Sequence, residues 1–419
     1  MKKTSPWAWI GSLYFIEGLP NAVVASSSVA FYKSMGMSNQ AVAMLTGAMY
    51  LPWALKGLWG PLVDSFSTKR RWILFCAAVF SACFVGLCGA VLCSDFVGLS
   101  AAIFWILAVA SATFDIAADG FYMLSLDSRG QSFFVGIRNG FYRVAVLYGQ
   151  GAMVLIAGWG ERSLGSLSMG WALAFSSAAL ISILALIQFT IILPTPQGDS
   201  PRRDSRFKDV LSNIYVAFLE FAGKKDILTM LAFIMLYRFS ESQLVKMAQP
   251  FMLDPRDCGG LGLSLSTVGV IYGTVSPVLL LTGGILGGFW VARVGLKKAL
   301  MPMCLAMNLP NALYAYMAIF QPQQLWEISL LIGFEQFGYG FGFSGYMVYL
   351  MIASRGNMQT STYAICTSFM ALALAIPSML SGYVQKFLGS YENFFIWVFI
   401  CTIPSIFATW LVLPHLRED

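Results

Sequence analysis

The sequence predicts an all-α integral membrane protein with twelve spans, arranged as two pseudo-symmetric six-helix bundles. Three observations predict this fold class: composition, long apolar runs and a repeated loop. The 419-residue chain is 58% hydrophobic but only 11% charged, whereas a soluble domain carries about 25% charged residues. This composition excludes a soluble globular enzyme and a disordered chain. The net charge of +6 is modest, so no nucleic-acid partner is expected.

The apolar runs predict the spans. A helix needs about 20 apolar residues to cross roughly 30 Å of hydrocarbon. Only helices or closed barrels satisfy their backbone hydrogen bonds in lipid, and these runs are too long for barrel strands. We predict twelve helical spans, at residues 7–32, 39–62, 72–93, 98–124, 132–159, 168–193, 227–252, 266–291, 298–320, 324–352, 359–385 and 391–414.

Basic residues concentrate on one side of these spans. Most lysines and arginines lie near the termini and in the loops after spans two, four, six, eight and ten. The loops on the other side contain Lys33, Arg162, Arg256 and Lys386. Because cytoplasmic loops carry the excess of basic residues, we expect both termini to be cytoplasmic.

The longest loop divides the chain in two. It begins with Pro194-Thr195-Pro196, and its second part has the pattern of an amphipathic helix lying on the inner membrane surface. We predict a six-helix bundle at 1–193, a linker at 194–226 and a six-helix bundle at 227–419. The apolar positions of the linker helix are Phe207, Leu211, Ile214, Phe218 and Phe221.

A short string recurs after spans two and eight. The first copy runs from Gly60 to Arg70 and the second from Gly288 to Lys298. Both resemble the loop signature of the major facilitator superfamily, G-x-x-x-D-R-x-G-R/K-K/R, although Ala292 replaces the aspartate in the second copy. A repeat of six plus six spans is the usual plan of a secondary transporter with its site between the halves. The predicted gate-loop residues are Asp64, Lys69, Arg70, Arg293 and Lys297.

Several spans contain ionisable residues. Each costs about 2.5–3.5 kcal/mol at the centre of a membrane-spanning helix, so it faces a cavity or a partner. These residues are therefore the best functional candidates. The predicted proton-coupling or substrate-binding residues are Glu17, Lys56, Asp115, Asp119, Arg138, Arg143, Arg238, Glu241 and Glu335.

Spans four and five hold the densest group of charges. Asp115 and Asp119 are four residues apart and share one helix face. We expect ion pairs with span five, where Arg138 and Arg143 lie about 140° apart around the helix and do not share one role. Two interpretations stay open: a buried pair that locks the helices, or groups that gate the path or bind protons and substrate.

The other charged candidates also have two interpretations. Glu17 precedes Gly18-Leu19-Pro20, where a loosened helix suits a coupling or binding site. Glu335 has no partner in its own helix, and we rank it with Glu17. Lys56 is able to snorkel to the interface, and Arg238 can pair with Glu241.

Aromatic residues lie near these charges. Aromatic faces beside polar groups suit the apolar faces of sugar rings, although each ring on its own is also explained by packing. The predicted cavity aromatics are Tyr14, Trp59, Tyr142 and Tyr237.

Catalytic chemistry has little support in this sequence. The one histidine is His415, near the end of the chain, so intramembrane Ser-His and His-metal sites are excluded. A sensor would need a sizeable soluble output domain, and no loop is long enough. We predict a transporter, with no enzyme activity and no cofactor.

Several short strings of the sequence resemble those of one protein family. They look like the AmpG-type muropeptide permeases, a branch of the major facilitator superfamily that also includes the acetyl-CoA transporters. Phe114 departs from the family, which often has Gln there, and Glu17 is unusual after an aromatic residue. The matching strings are 15–20, 56–64, 111–122, 136–143, 236–238, 249–251, 335–338, 363–364 and 381–383.

The resemblance implies a twelve-span major facilitator fold and a function. It implies a monomeric bacterial inner-membrane symporter that imports cell-wall breakdown products by alternating access, with the proton gradient as energy source. The implied substrates are N-acetylglucosaminyl-anhydro-N-acetylmuramyl sugars with or without a peptide stem, and the implied partners are this sugar or peptide and membrane lipids. The alternative is a major facilitator transporter for another sugar, a peptide, an acyl-CoA or a siderophore.

Overall fold

The structure is a computed structural model of the chain. It describes residues 5–196, 199, 215–216, 218–355 and 359–416. Within these ranges the chain forms α-helices joined by short turns, and no strand. The description of side chains leaves out residues 57, 58, 61, 62, 64, 65, 128, 129, 131, 132, 135 and 359–361.

The first half of the chain forms helices α1 to α9. A wider helical turn at Val23–Ser27 joins α1 to α2, and another at Tyr148–Ala152 joins α7 to α8. Pro20 lies inside α1 and has no N–H to donate, which favours a local change of helix geometry. The helices are α1 (Ile10–Ala22), α2 (Ser28–Ser34), α3 (Asn39–Ala48), α4 (Leu51–Phe66), α5 (Lys69–Ala90), α6 (Phe96–Ser125), α7 (Ser128–Leu147), α8 (Met153–Leu164) and α9 (Leu167–Ile192).

The second half forms helices α10 to α19. Leu309–Asn311 separates α14 from α15, because Pro310 within it cannot donate a backbone hydrogen bond. The helices are α10 (Ile227–Leu236), α11 (Phe239–Leu253), α12 (Leu265–Gly273), α13 (Val275–Val294), α14 (Leu296–Asn308), α15 (Ala312–Phe320), α16 (Leu325–Ala353), α17 (Gln359–Leu388), α18 (Tyr391–Ile400) and α19 (Thr402–Val412).

The all-α membrane fold class is confirmed. Each of the twelve predicted spans coincides with one helix or with two consecutive helices. Of the described residues, eight helical stretches are long and apolar enough to cross a membrane. They are Lys69–Ala90, Phe96–Ser125, Gly136–Leu164, Leu167–Ile192, Leu265–Val294, Leu296–Phe320, Thr362–Leu388 and Tyr391–His415.

The helices form two compact units. The first comprises Met1–Met35 and Leu55–Ser212, and the second comprises Gly36–Ala54 and Asn213–Asp419. The sequence placed all of 1–193 in one bundle, whereas the structure packs 36–54 with the second unit. The predicted linker helix lies largely outside the described residues.

Close packing explains why α3 belongs to the second unit. A Cβ at Gly47 would lie 2.8 Å from Cγ of Met379 in α17, so only glycine allows the two helices to approach this closely. At the end of α3, the Asn39 side-chain amide donates a hydrogen bond of 2.7 Å to the Tyr391 hydroxyl. Turn residues Met49 and Tyr50 separate α3 from α4. The boundary between the two units falls after Ala54, within the first turns of α4, so the predicted second span is divided between them.

Glycine contacts also hold α13 against α16 in the second unit. A Cβ at Gly287 would lie 2.5 Å from the Phe341 carbonyl oxygen, whereas a Cβ at Gly288 would meet no atom within 4 Å. Gly287 therefore lies on the face of α13 that packs against α16, and Gly288 lies outside that contact.

Candidate functional site

The first unit contains a cluster of ionisable side chains carried by α1, α4, α6 and α7. The Nζ of Lys56 pairs with Oδ2 of Asp115, and the two side chains are 35% and 19% exposed. The sequence left open that the Lys56 side chain snorkels to the membrane interface. In the structure this side chain contacts the Asp115 carboxylate instead. An ion pair offsets part of the cost of keeping either charge inside a membrane protein.

Arg138 forms the second ion pair of this cluster. Its NH1 donates to Oδ1 of Asp119 at 3.0 Å and to the hydroxyl of Tyr14 at 2.8 Å. The Tyr14 hydroxyl in turn donates to the same Asp119 oxygen at 3.1 Å. The guanidinium lies over the rings of Tyr14 and Tyr122, 4.9 and 5.0 Å from the centroids, which adds cation–π attraction.

Glu17 completes the cluster as the acid with no cation of its own. Its side chain is 8% exposed, and its Oε2 is buried without a hydrogen-bond partner in the described structure. The carboxylate faces Asp115 closely enough to share a hydrogen bond. Two carboxylates can share a hydrogen bond only if one of them carries a proton.

The charges of the cluster do not balance. Among the described residues that form its contacts, three acids, Glu17, Asp115 and Asp119, meet two bases, Lys56 and Arg138. Unbalanced charge is costly away from water, and one bound proton makes the cluster neutral. The arrangement therefore has the chemistry to bind and release a proton.

Three further candidates lie in the first unit. The indole N–H of Trp59 donates to the Thr113 hydroxyl at 3.2 Å, and Tyr142 is half-buried. Arg143 is exposed and has no ion-pair partner within the described part of the chain. Arg138 and Arg143 thus have different surroundings, as their angular separation predicts.

The second unit contains a different pair. Arg238 donates through Nε and NH2 to Oε2 of Glu241 at 3.0 and 2.9 Å, and the two side chains are only 7% and 4% exposed. NH2 also donates to the Tyr339 hydroxyl at 3.2 Å. The guanidinium lies 5.4 and 5.1 Å from the ring centroids of Tyr339 and Phe343. This pair is closed to solvent, and the guanidinium donates hydrogen bonds to a carboxylate and to a tyrosine hydroxyl.

Glu335 and Tyr237 are both buried in the second unit. Glu335 is 1% exposed, and its carboxylate accepts a hydrogen bond of 2.9 Å from the Gln336 amide. Tyr237 was predicted to face a cavity, but it is fully buried. Its hydroxyl donates to the Gly342 carbonyl at 2.9 Å and its ring stacks on Tyr346 at 4.9 Å. Tyr237 therefore packs between helices.

The predicted gate-loop residues lie at helix ends. The Arg70 guanidinium donates to the carbonyls of Thr190 and Leu193, at the end of α9. Arg293 is exposed near the end of α13, and Lys297 is half-buried at the start of α14. The side chain of Asp64 lies outside the described residues.

Asp199 is a residue that sequence reasoning missed. Its carboxylate accepts from the backbone N–H groups of Lys69 and Arg70 at 2.6 and 3.1 Å. An acid that accepts from the first amides of a helix stabilises its positive end, so Asp199 stabilises the start of α5. A lone aspartate in a polar loop gives no signal of this contact. Tyr122, one of the two rings beside Arg138, lies three residues after Asp119 and so on the same helix face.

Comparisons with known proteins agree with this architecture. A sequence profile of the Major Facilitator Superfamily matches residues 10–378. The anhydromuropeptide permease of Escherichia coli (strain K12) is 22% identical over 404 residues, which cover 94% of this chain and 77% of that protein. A Rickettsia conorii protein named transporter AmpG 4 is 22% identical over 407 residues, covering 94% of this chain and 93% of the relative.

A solved structure shares the fold. The crystal structure of a bacterial homologue of the human lysosomal transporter Spinster, in an inward-facing and unoccupied conformation, superposes with a TM-score of 0.73. The two chains are 15% identical, and the match covers 97% of this chain and 95% of the other. The likeness to AmpG-type proteins predicted from the motifs is thus confirmed by the superfamily match and by the names of the relatives.

Proposed function

The chain belongs to the Major Facilitator Superfamily and is a multi-pass membrane transporter, and we propose that it imports cell-wall sugars together with protons. The proposed substrates are N-acetylglucosaminyl-anhydro-N-acetylmuramyl sugars, with or without a peptide stem. The proposed location is the bacterial inner membrane, with both termini in the cytoplasm and with the site exposed alternately to the two sides.

The substrate proposal is supported by the relatives and by the first-unit cluster. One relative that spans nearly the whole chain is named anhydromuropeptide permease. In the cluster, Arg138 is 26% exposed and lies between two tyrosine rings. A solvent-reachable guanidinium beside aromatic rings suits a ligand that combines an acidic group with the apolar face of a sugar.

The proton proposal is carried by one observation, the unpaired carboxylate of Glu17. It faces Asp115, which is already paired with Lys56. A proton on Glu17 lets the two carboxylates hydrogen-bond and makes the cluster of three acids and two bases neutral. Loss of that proton leaves a buried charge without a cation, which is unfavourable in low dielectric. The cluster therefore links its own arrangement to the proton gradient.

Uptake into proteoliposomes tests this function. The purified chain is reconstituted, and entry of labelled N-acetylglucosaminyl-anhydro-N-acetylmuramic acid is followed with an inward proton gradient and after a protonophore has dissipated it. We expect accumulation that depends on the gradient. The variant E392Q, which changes an exposed acid at the start of α18, serves as control and should transport normally.

Two results would contradict the proposal. Uptake that is equal with and without the gradient would remove proton coupling. Failure of the sugar to enter at all, while another sugar, a peptide, an acyl-CoA or a siderophore enters, would replace the substrate.

A further inference from the structure

Arg138 and Arg238 are two arginines in similar surroundings that differ in their free hydrogen-bonding groups. Each lies against two aromatic rings and donates to one carboxylate. Arg238 donates through both Nε and NH2. Within the described structure Arg138 donates hydrogen bonds only through NH1: NH2 donates none, and Nε is buried without a partner. A guanidinium with these groups free can bind a second carboxylate.

The Arg138–Asp119 and Arg238–Glu241 pairs also differ in the solvent exposure of their side chains. The side chains of Arg138 and Asp119 are 26% and 46% exposed, against 7% and 4% for Arg238 and Glu241. Asp119 is the most exposed partner in the first-unit cluster, and a single N–H of Arg138 reaches it, at 3.0 Å. Of the two pairs, this is the one that a ligand is able to open.

We propose that Arg138 binds a carboxylate of the transported molecule and that Asp119 competes with this carboxylate for the guanidinium. The inference deepens the proposed function and rests on it for the identity of the ligand. The muramyl sugar without a peptide stem ends its lactyl ether in a carboxylate, which is the group assigned to Arg138.

Charge balance gives the physical reason for competition. The cluster already has three acids for two bases, and an anionic ligand adds a further negative charge. Asp119 therefore leaves Arg138 or takes up a proton when the ligand binds, because two carboxylates on one guanidinium repel each other. Among the described residues, the titratable groups near Asp119 are Tyr14, Glu17, Lys56, Asp115, Tyr122 and Arg138. The Lys69 side chain lies against the neighbouring Gly120.

Binding measurements on the full chain in lipid nanodiscs test the competition. Two probes are compared by calorimetry: the disaccharide acid N-acetylglucosaminyl-anhydro-N-acetylmuramic acid, and the same disaccharide with its lactyl carboxylate converted to the amide. We expect D119N to bind the acid about tenfold more tightly than the wild type and with less dependence on pH. Its affinity for the amide should not change.

The complementary variant removes the arginine. R138Q should lose about tenfold in affinity for the acid while keeping its affinity for the amide. The controls R71Q and D257N change exposed charges at the start of α5 and in the loop after α11, and they should match the wild type. If D119N or R138Q altered both probes equally, Arg138 and Asp119 would have a structural role and the proposal would be overturned.

A second readout separates this inference from the proposed function. If neither disaccharide binds the wild type, the proposed function fails. Labelling with phenylglyoxal, read by mass spectrometry, then decides about Arg138. We expect Arg138 to be labelled faster in D119N than in the wild type, and to be protected by lactate but not by lactamide. Unchanged labelling, or equal protection by both compounds, would overturn the competition.

Discussion

In the proposed function, the proton chemistry of the first unit depends on Glu17. It is 8% exposed, lies within α1 and faces a carboxylate that already has a cation. In an apolar surrounding the neutral acid is favoured over the ion. A side chain that is permanently neutral should therefore imitate the protonated state without releasing the proton.

The variant E17Q makes this idea measurable. The amide keeps the size and hydrogen-bonding groups of the neutral acid, so binding of the disaccharide should stay close to that of the wild type. Proton-driven accumulation should fall by at least about tenfold. Equal accumulation by E17Q and by the control E392Q would show that Glu17 carries no proton in the cycle.

Lys56 gives a second prediction at this scale. K56Q leaves Asp115 without its cation next to the unpaired Glu17, so one half-buried and one buried acid lack a base. We expect transport to fall by at least about tenfold, and the double variant K56Q/D115N to recover part of the loss because the stranded charge is gone. Uptake rates at equal surface expression measure both. No recovery in the double variant would mean that the two charges act separately.

We expect the Arg238–Glu241 pair to stabilise the folded protein, because loss of either charge strands the other in a buried site. R238Q leaves the carboxylate buried and unpaired, which costs about 3–5 kcal/mol when a buried pair is broken. The melting temperature of the purified protein should fall clearly, and R238Q/E241Q should restore most of it. If R238Q melted like the wild type, the pair would not hold α10 and α11 against α16.

Helix packing in the second unit shows what a single glycine contributes at the scale of the element. Gly287 faces the Phe341 carbonyl of α16, whereas Gly288 faces open space. G287A should lower stability by about 1–3 kcal/mol, since the added methyl forces α13 away from α16, and G288A should not. Thermal unfolding of the two variants measures the difference. Equal melting temperatures would show that the contact is not tight.

The helices of this protein are predictable from sequence patterns, but the contacts between them are predictable only in part. Composition and run length determine the helices, because lipid permits little else. The ion pair between spans four and five was predictable from Asp119 and Arg138, since charges inside the membrane need partners. The contact of Lys56 with Asp115 joins residues on spans two and four, and the sequence offers no rule for which charge meets which. Gly47 and Pro52 flank the break at Met49 and Tyr50 and are a local signal for it, but no local pattern predicts which unit α3 packs against.

For the whole molecule, the repeat of six plus six spans predicts the fold but does not predict where the cluster of charges lies. Each unit holds one arginine between two aromatic rings, yet Arg138 belongs to span five and Arg238 to span seven. Among the described residues, the ion pairs of the first unit are partly exposed, whereas in the second unit the Arg238–Glu241 pair is closed to solvent and Glu335 is buried beside the Gln336 amide. In the proposed transport cycle the first unit carries the exchangeable proton, and the Arg238–Glu241 pair holds helices of the second unit together.

Proton counting during transport tests this account most directly. Weakly buffered proteoliposomes containing a trapped pH dye report the protons that enter with each labelled disaccharide. We expect proton entry with substrate in the wild type, and one proton fewer per disaccharide in E17Q. Substrate entry without protons in the wild type, or the same proton count in E17Q, would contradict it.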